Sequence, residues 1–333
     1  MQNAGILATG TYVPETKMTS AEVADATGIP ENIIREKFGI HQKPIPGPDD
    51  GPCAMGARAA KAAMAKAGMD PLEIDVVLSI SEEYKEHPLM VSGIKIQQLI
   101  GAKNAWAVDV AQRCCTTISA LQLAKGLMAT DDRVNTILLA GGYRNGDLID
   151  YKNPRVSFMY SLAAAGGALL LRRDLGRNTI EATSLVSDGD FADDVHVHAG
   201  GTSVPVGPEH LGTGAMQLDV TDVDAMKARL RERSHPNFMR VIRDAAERSG
   251  FDAVDYVGLL HMKRSAHYAV LNELGAGEDA AVYLEDYGHM GQLDPIFCME
   301  LGEQSGRLKP GHRVVLASAG VSYAWGAAAV RWG

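Results

Sequence analysis

Two adjacent cysteines, Cys114 and Cys115, stand where an apolar strand pattern changes into an apolar helix pattern. A thiol at the start of a helix lies near unpaired backbone N–H groups and the positive end of the helix dipole, and both lower its pKa. The position therefore predicts a thiolate that acts as a nucleophile. The alternative is that both residues are core side chains, since free cysteine packs like a small hydrophobic residue.

The composition argues against several classes of protein. The 333 residues carry a formal charge of −9, which disfavours a nucleic-acid-binding surface. No apolar segment reaches the roughly 18 residues of a membrane helix, and the N-terminus lacks the basic and apolar regions of a signal peptide. The other cysteines, Cys53 and Cys298, have no zinc-site spacing. We therefore expect a cytoplasmic protein with no bound metal and no membrane or nucleic-acid partner.

Strands and helices alternate along the chain, which predicts an α/β fold with parallel strands. An alanine-rich helix pattern begins at Ala54 and ends at Gly68, and the buried-strand pattern E-I-D-V-V-L-S-I-S follows it. The same order recurs where a helix ending at Gly250 precedes D-A-V-D-Y-V-G-L-L-H, and further on A-A-V-Y-L-E-D matches the strand A-W-A-V-D-V. This repeated order predicts a duplicated α/β unit. The alternative is a chance agreement between alanine-rich helices.

In this match Asp75 corresponds to Asp255 and Ser81 to His261. We expect two halves, residues 1–175 and residues 176–333, that are related by a pseudo-twofold axis.

Such an axis brings together the strand ends at Glu82 and His261 and the helix starts at Cys114 and His289. A thiolate, two imidazoles and a carboxylate suit covalent catalysis on a thioester, with backbone N–H groups binding the oxyanion. Each histidine taken alone is as readily explained as a structural residue.

Several motifs along the whole chain share one resemblance. They are G-T-Y-V-P, F-G-I-H-Q-K-P-I, D-V-A-Q-R-C-C, S-D-G-D-F-A-D-D and the C-terminal G-R-L-K-P-G-H-R-V-V-L-A-S-A-G-V-S-Y-A-W-G. They resemble the thiolase superfamily, and within it the ketoacyl-acyl-carrier-protein synthase III branch of condensing enzymes. The resemblance implies a duplicated thiolase-type fold, layered α-β-α-β-α. For assembly, the corresponding expectation is a homodimer.

The resemblance also implies roles for single residues. Cys114 falls on the acyl-accepting cysteine and His261 on the first histidine of the family, whereas His289 stands where the family has asparagine. The elongating condensing enzymes are similar in using a Cys-His-His set. The N–H groups of Cys114 and near Val321 are implied to form the oxyanion hole.

Other positions are implied to bind substrate. Ile33 replaces a tryptophan that stacks on the adenine of coenzyme A, and Lys37 replaces a nearby arginine. Cys115 and Thr116 lie beside the nucleophile and are expected to shape the acyl pocket. Two cations that follow His261 are expected either to meet a phosphopantetheine phosphate or an acidic carrier protein, or to form a solvated charged pair. These cations are Lys263 and Arg264.

The function predicted from these residues is a synthase III-like Claisen condensation through an acyl-cysteine, with acyl-CoA or acyl carrier protein as substrate and no cofactor. Glu82 resembles the acid/base glutamate of hydroxymethylglutaryl-CoA synthases, so an aldol condensation or its reverse is an alternative. Two further alternatives are acyl transfer to a non-carbon acceptor and a catalytically silent subunit. For Glu82 itself, a solvated loop carboxylate is the competing interpretation.

Overall fold

The computed structural model of the chain describes residues 4–333. The strands are β1 (Ala4–Tyr12), β2 (Lys17–Thr19), β3 (Gln42–Pro44), β4 (Val76–Ser79), β5 (Trp106–Asp109), β6 (Thr136–Tyr143), β7 (Ala165–Arg173), β8 (Thr179–Ser187), β9 (Val195–Val197), β10 (Leu218–Val220), β11 (Tyr256–Leu259), β12 (Arg313–Gly320) and β13 (Ala324–Arg331). The helices are α1 (Ser20–Thr27), α2 (Glu31–Ile33), α3 (Pro52–Ala67), α4 (Ser92–Ile100), α5 (Thr116–Thr130), α6 (Val223–Arg248), α7 (Arg264–Glu273) and α8 (Asp294–Gln304).

Nine strands form one mixed sheet in the order β11-β12-β13-β8-β1-β7-β6-β4-β5. β8 and β1 are neighbours in the middle of this order, and the strands on either side of them pair in the same sequence of antiparallel and parallel contacts. On one side β1 and β7, and β7 and β6, are antiparallel, and β6 and β4 are parallel. On the other side β8 and β13, and β13 and β12, are antiparallel, and β12 and β11 are parallel. The sheet order therefore repeats one unit twice.

Helices cover and separate the two sets of strands. α3 packs on β1, β6 and β7, and α6 packs on β8, β12 and β13. α5 and α8 contact strands of both sets and so form a central layer. The resulting α-β-α-β-α layering agrees with the thiolase-type arrangement expected from the sequence.

The close contact between α3 and the sheet explains the small residues of this helix. α3 begins with Pro52 and ends at Gly68, whose φ of +60° is the left-handed conformation that closes a helix. A Cβ placed on Gly56 would lie 2.8 Å from the Cα of Gly141 in β6. Only a residue without a side chain lets the helix approach the strand this closely.

The two halves also agree in detail at Asp75 and Asp255. The amide of Asp75 donates to the Thr136 carbonyl at 3.0 Å, and its Oδ2 accepts from the Thr136 amide at 2.8 Å. The amide of Asp255 donates to the Arg313 carbonyl at 2.9 Å, and its Oδ2 accepts from the Arg313 amide at 2.8 Å. Each aspartate thus joins equivalent parallel strands at their starts.

One predicted strand is wrong. The segment A-A-V-Y-L-E-D, residues 280–286, matches β5 in sequence but forms no strand. Its carbonyl at Glu285 accepts from the amide of His41 at 2.7 Å, so this segment pairs with the turn before β3 instead of extending the sheet beside β11.

The chain passes from the first set of strands to the second between β7 and β8. The division into residues 1–175 and 176–333 as separate domains stays a prediction. Within residues 4–333 no helix is both long enough and apolar enough to cross a membrane.

Candidate active site

The nucleophile candidate Cys114 lies two residues before α5 begins at Thr116. The residue before it, Arg113, has a φ of +49°, a left-handed conformation that is rare outside glycine and turns the chain sharply into the helix. The carbonyl of Cys114 accepts from Ser318 Oγ at 2.7 Å. A Cβ on Gly320 would lie 3.0 Å from the amide nitrogen of Cys114, so the end of β12 lies directly against the nucleophile.

Cys114, His289 and Asp294 form a hydrogen-bonded triad. His289 Nε2 lies 3.1 Å from Cys114 Sγ, and His289 Nδ1 donates to Asp294 Oδ2 at 2.6 Å. The histidine backbone is held by Ser161, whose carbonyl accepts from the His289 amide at 2.8 Å. Asp294 is fully buried at the first position of α8, and its Oδ1 accepts from the Met290 amide at 2.8 Å. A nucleophile, a base and a carboxylate that orients the base are the parts of an acyl-transfer triad.

The charges of the triad act on one another. Burial by itself lowers the pKa of His289, but the Cys114 thiolate and the Asp294 carboxylate raise that pKa well above its usual range. Burial raises the pKa of the Cys114 thiol, and His289 acts in the opposite direction. The protonated imidazole is therefore the group that favours the thiolate in this buried site.

His261 lies at the end of β11 and its ring is already engaged. Its amide donates to Asp294 Oδ2 at 2.7 Å, and its Nε2–H donates to the carbonyl of Gly39 at 3.2 Å. Its Nδ1 is buried and has no partner among residues 4–333. Burial lowers the pKa of His261 to about 4, so the ring is neutral at physiological pH.

Glu82 is a buried carboxylate in the same site, with 3% of its surface exposed. Asn145 Nδ2 donates to its Oε2 at 2.7 Å, and Arg113 Nη1 lies 3.7 Å from the same oxygen. Its other oxygen, Oε1, has no partner within the described chain. Burial raises the pKa of Glu82, and Arg113 and Asn145 act against that rise. Glu82 is therefore a buried residue and not a solvated loop carboxylate. Its role as a general acid/base stays a prediction.

One cavity of about 1000 Å³ contains Cys114, His289, His261 and Glu82 in its wall. Most of its remaining wall is apolar. Side chains that contribute to this apolar part are Leu148, Phe158, Leu162, Val197, Leu218 and Leu230. A polar reacting centre inside a large apolar cavity is the arrangement expected for a bulky apolar substrate.

The two predicted phosphate-binding cations have different surroundings. Lys263 lines the cavity, and its Nζ lies 6.0 Å from the centre of the Phe38 ring. Arg264 forms an ion pair with Glu285, and its guanidinium lies 4.6 Å from the centre of the Tyr283 ring. Lys263 therefore faces the cavity, whereas Arg264 is engaged by the protein itself.

Ile33 and Lys37 lie outside the cavity wall. Ile33 ends the short helix α2 and is half-buried, and Lys37 is exposed in the helical turn that follows. Val321, by contrast, lines the cavity directly after β12. Val321 thus directly follows Gly320, the residue that packs against the Cys114 amide.

Cys115 and Thr116 are fully buried behind the nucleophile and do not line the cavity. Cys115 Sγ lies 3.2 Å from the carbonyls of Ser318 and Ala324. Thr116 Oγ1 donates to the Arg113 carbonyl at 2.6 Å. Both side chains stabilise the turn that presents Cys114, so the structure gives them a supporting position in place of the expected pocket position.

Lys43 is a fully buried lysine that no sequence pattern singles out. Its Nζ donates to the carbonyls of Tyr160 and Leu162 at 2.6 and 2.7 Å, and to Tyr151 Oη at 2.6 Å. Burial lowers the pKa of Lys43 to about 7.

These bonds connect Lys43 to the triad. The two carbonyls that it binds flank Ser161, whose own carbonyl accepts from the His289 amide. Lys43 therefore holds the segment on which the backbone of His289 rests. Asp294 and Lys43 are the two residues of this site that sequence reasoning missed. For Asp294 the only signal is an aspartate at a helix start shortly after a candidate histidine.

Comparison with known protein families gives two matches. Residues 108–189 match the family described as 3-oxoacyl-[acyl-carrier-protein (ACP)] synthase III, and residues 245–332 match its C-terminal part. Together these segments make up just over half of the chain. The first contains Cys114, and the second contains both histidines and Asp294.

Relatives in sequence and structure cover almost the whole chain. It is 26% identical to a beta-ketoacyl-[acyl-carrier-protein] synthase III of Roseiflexus castenholzii, over 99% of this chain and 98% of that protein. It is 26% identical to a 3-oxopimeloyl-[acyl-carrier-protein] synthase of Rhodothermus marinus, over 99% and 94%. The crystal structure of 3-oxoacyl-[acyl-carrier-protein] synthase III from Aquifex aeolicus superposes with a TM-score of 0.84 at 19% identity, covering 99% of this chain and 100% of that one.

The triad predicts a measurable effect of Asp294→Asn. The variant removes the charge that raises the pKa of His289, so the imidazolium that lowers the pKa of Cys114 is less populated. Asp294 also raises the pKa of Cys114 directly, but this effect is smaller than that of His289, so we expect the pKa of Cys114 to rise. We expect alkylation of Cys114 by iodoacetamide at pH 7 to slow by about tenfold, the factor for one unit of pKa. The rising limb of the pH–rate profile should move to higher pH, and an unchanged profile in a folded variant would contradict the triad.

Lys43→Met tests the support of His289. Two buried carbonyls lose their donor, so we expect a loss of about 2–4 kcal/mol in the free energy of unfolding. Alkylation of Cys114 should also slow under conditions where the variant remains folded, because the backbone of His289 is no longer held. Lys66→Met is the control: it breaks the ion pair between a half-exposed lysine and the buried Glu300, outside the cavity. Equal alkylation rates in both variants would show that Lys43 acts only on stability.

Proposed function

The chain belongs to the 3-oxoacyl-[acyl-carrier-protein] synthase III family of thiolase-fold enzymes, and from this premise we propose that it is an acyltransferase that condenses two acyl thioesters through an acyl-cysteine. The carbon–carbon bond forms in a Claisen condensation. The observation that carries the proposal is the contact of 3.1 Å between Cys114 Sγ and His289 Nε2 inside a large apolar cavity.

The first step loads the acyl group. The Cys114 thiolate attacks the carbonyl carbon of an acyl thioester, and the tetrahedral oxyanion is bound by the amides of Cys114 and Val321. The carrier thiolate leaves and takes the proton of the His289 imidazolium. The acyl group then remains on Cys114, with its chain in the apolar part of the cavity.

The second step forms the new bond. A second thioester that carries a carboxylate on its α-carbon loses CO₂, and the electron pair becomes an enolate. His289 takes up one proton from solvent, which the Asp294 carboxylate favours, and its N–H then donates to the enolate oxygen. The enolate carbon attacks the acyl carbonyl and the Cys114 thiolate leaves. His261 takes part in this step by breaking the hydrogen bond from its Nε2–H to the Gly39 carbonyl and donating to the thioester oxygen instead.

We propose coenzyme A or an acyl carrier protein as the thioester carrier, with no further cofactor, since each step uses only side chains and substrates. Lys263 at the cavity wall is the cation available to the phosphate of a phosphopantetheine arm. The four cysteines are free, which supports a reducing compartment, and we place the protein in the cytoplasm.

We further propose a homodimer formed along β5. This strand ends the nine-stranded sheet, and within residues 4–333 it pairs only with β4. Trp106 and Val108 on the strand, and Leu89, Val91 and Ile94 near it, are exposed large apolar side chains. An unpaired edge with an apolar face is a surface that proteins normally cover, and a second β5 in antiparallel orientation pairs with it under twofold symmetry.

Acylation is tested with Cys114→Ala. Intact mass spectrometry of the protein after incubation with a panel of acyl thioesters should give an adduct with the parent protein and none with the variant. Cys53→Ala, which removes a remote buried thiol, should keep the adduct. With a malonyl thioester added, the adduct should disappear as CO₂ is released. Consumption of an acetyl thioester without CO₂ would instead favour the aldol route.

Trp106→Glu tests the dimer. A charge at the apolar edge should shift the protein from dimer to monomer in analytical ultracentrifugation at micromolar concentration. Leu211→Glu places the same charge on another exposed leucine, away from β5, and should leave the dimer intact. Dissociation by both variants, or by neither, would contradict an interface along β5.

A further inference from the structure

Resting on the proposed acyl-Cys114 intermediate, we propose that this enzyme also transfers its acyl group from Cys114 to a primary amine, with His289 as general base and Glu82 as the group that binds the amine. Three independent features of the site support this second activity.

The first feature is the orientation of His289 by Asp294. Because Nδ1–H donates to Asp294, the neutral ring presents the lone pair of Nε2 to Cys114 at 3.1 Å. A nucleophile that attacks an acyl group on this sulphur therefore has a base within hydrogen-bond reach of its proton. Decarboxylative condensation removes no proton from its nucleophile, so it does not require an imidazole held in this way.

The second feature is the engagement of His261. Its Nε2–H is bound by the Gly39 carbonyl, so the resting site has one imidazole available to a substrate and not two. In this resting arrangement His261 donates to a second thioester only after it gives up its bond to Gly39, as the condensation proposed above requires. Proton removal by a single oriented imidazole needs no further donor from His261.

The third feature is the free oxygen of Glu82. Its Oε1 is buried and has no donor within residues 4–333, and Glu82 is one of the residues that line the reaction cavity. A buried acceptor without a partner is costly, so a ligand that supplies an N–H is favoured. Glu82 lines the same cavity as Cys114 and His289, and its Oε2 lies 3.7 Å from Nη1 of Arg113, the residue directly before Cys114.

A primary amine matches both groups at once. One of its two N–H bonds can reach Glu82 Oε1 while the other points to His289 Nε2. A simple alcohol has a single O–H and satisfies only one of these acceptors. The apolar wall of the cavity favours an amine with an apolar substituent.

The reaction is balanced without an added reagent. The neutral amine nitrogen attacks the carbonyl carbon of acyl-Cys114, and a proton passes from nitrogen to His289 Nε2. The carbon–sulphur bond then breaks, and its electron pair stays on Cys114 as thiolate. The products are an amide and the thiolate–imidazolium pair with which the next acylation begins.

The test starts from acyl-enzyme prepared with an acyl thioester and freed of excess donor. Loss of the adduct and formation of amide are followed by mass spectrometry with benzylamine, with benzyl alcohol and with buffer alone. We expect benzylamine to accelerate loss of the adduct at least about tenfold over buffer, a factor that one oriented general base readily supplies. The rate should rise with pH as His289 and the amine lose protons.

Glu82→Gln tests the binding site on the same preformed acyl-enzyme. We expect the benzylamine concentration for half-maximal rate to rise about tenfold, whereas hydrolysis in buffer changes less. Glu73→Gln, which removes a carboxylate before the opposite end of β4, is the control for loss of charge and should leave the benzylamine dependence unchanged.

Each other outcome overturns part of the proposal. A stable adduct in benzylamine shows that no such transfer occurs. Faster loss with benzyl alcohol than with benzylamine excludes the amine as the preferred acceptor, and an unchanged half-maximal concentration in Glu82→Gln excludes Glu82 as its binding group. A failure to form any adduct overturns the proposed condensation as well, so the two failures are distinguishable.

Discussion

The active site depends on one buried carboxylate. Asp294 accepts hydrogen bonds from the ring of His289 and from the amides of His261 and Met290, and none of its surface is exposed. A charge in such a position is tolerated only when its acceptors are satisfied, so these three donors are held where the carboxylate needs them. The position and charge state of the imidazole beside Cys114 follow from this constraint.

The duplicated sheet supplies the groups that surround this carboxylate. Cys114 and Glu82 come from the first set of elements, and both histidines and Asp294 come from the second. Thr117 in the first turn of α5 donates to the carbonyl of Gln292, two residues before α8, at 2.6 Å, so the nucleophile and the carboxylate stand at two neighbouring helix starts. Neither set of strands contains the site alone. Lys43, on the short strand β3 outside the nine-stranded sheet, adds the support for His289 that the two sets do not provide.

The protonation state of His289 separates two kinds of chemistry. As a cation it favours the Cys114 thiolate and donates to an enolate oxygen. As a neutral base oriented by Asp294 it accepts a proton from a nucleophile. Burial lowers the pKa of His289, whereas the Cys114 thiolate and Asp294 raise it, so acylation of Cys114 removes one of the two charges that favour the cation. His289 thus gives the site both a proton-donating and a proton-accepting state.

Much of this protein is determined by local sequence pattern. The candidate nucleophile was predictable because a thiol between a strand pattern and a helix pattern lies at a helix start, where N–H groups and the helix dipole lower its pKa. The repeated element order predicted the two equivalent sets of strands and the convergence of Glu82, His261 and His289. The tertiary structure alone decided which side chains face the cavity. Cys115 and Thr116 turn into the core, Arg264 pairs with Glu285, and residues 280–286 bind the turn at His41 in place of a neighbouring strand. Asp294 and Lys43 act through polar contacts with residues that are distant in the sequence or lie across a turn. Hydrophobic periodicity carries no information about such contacts.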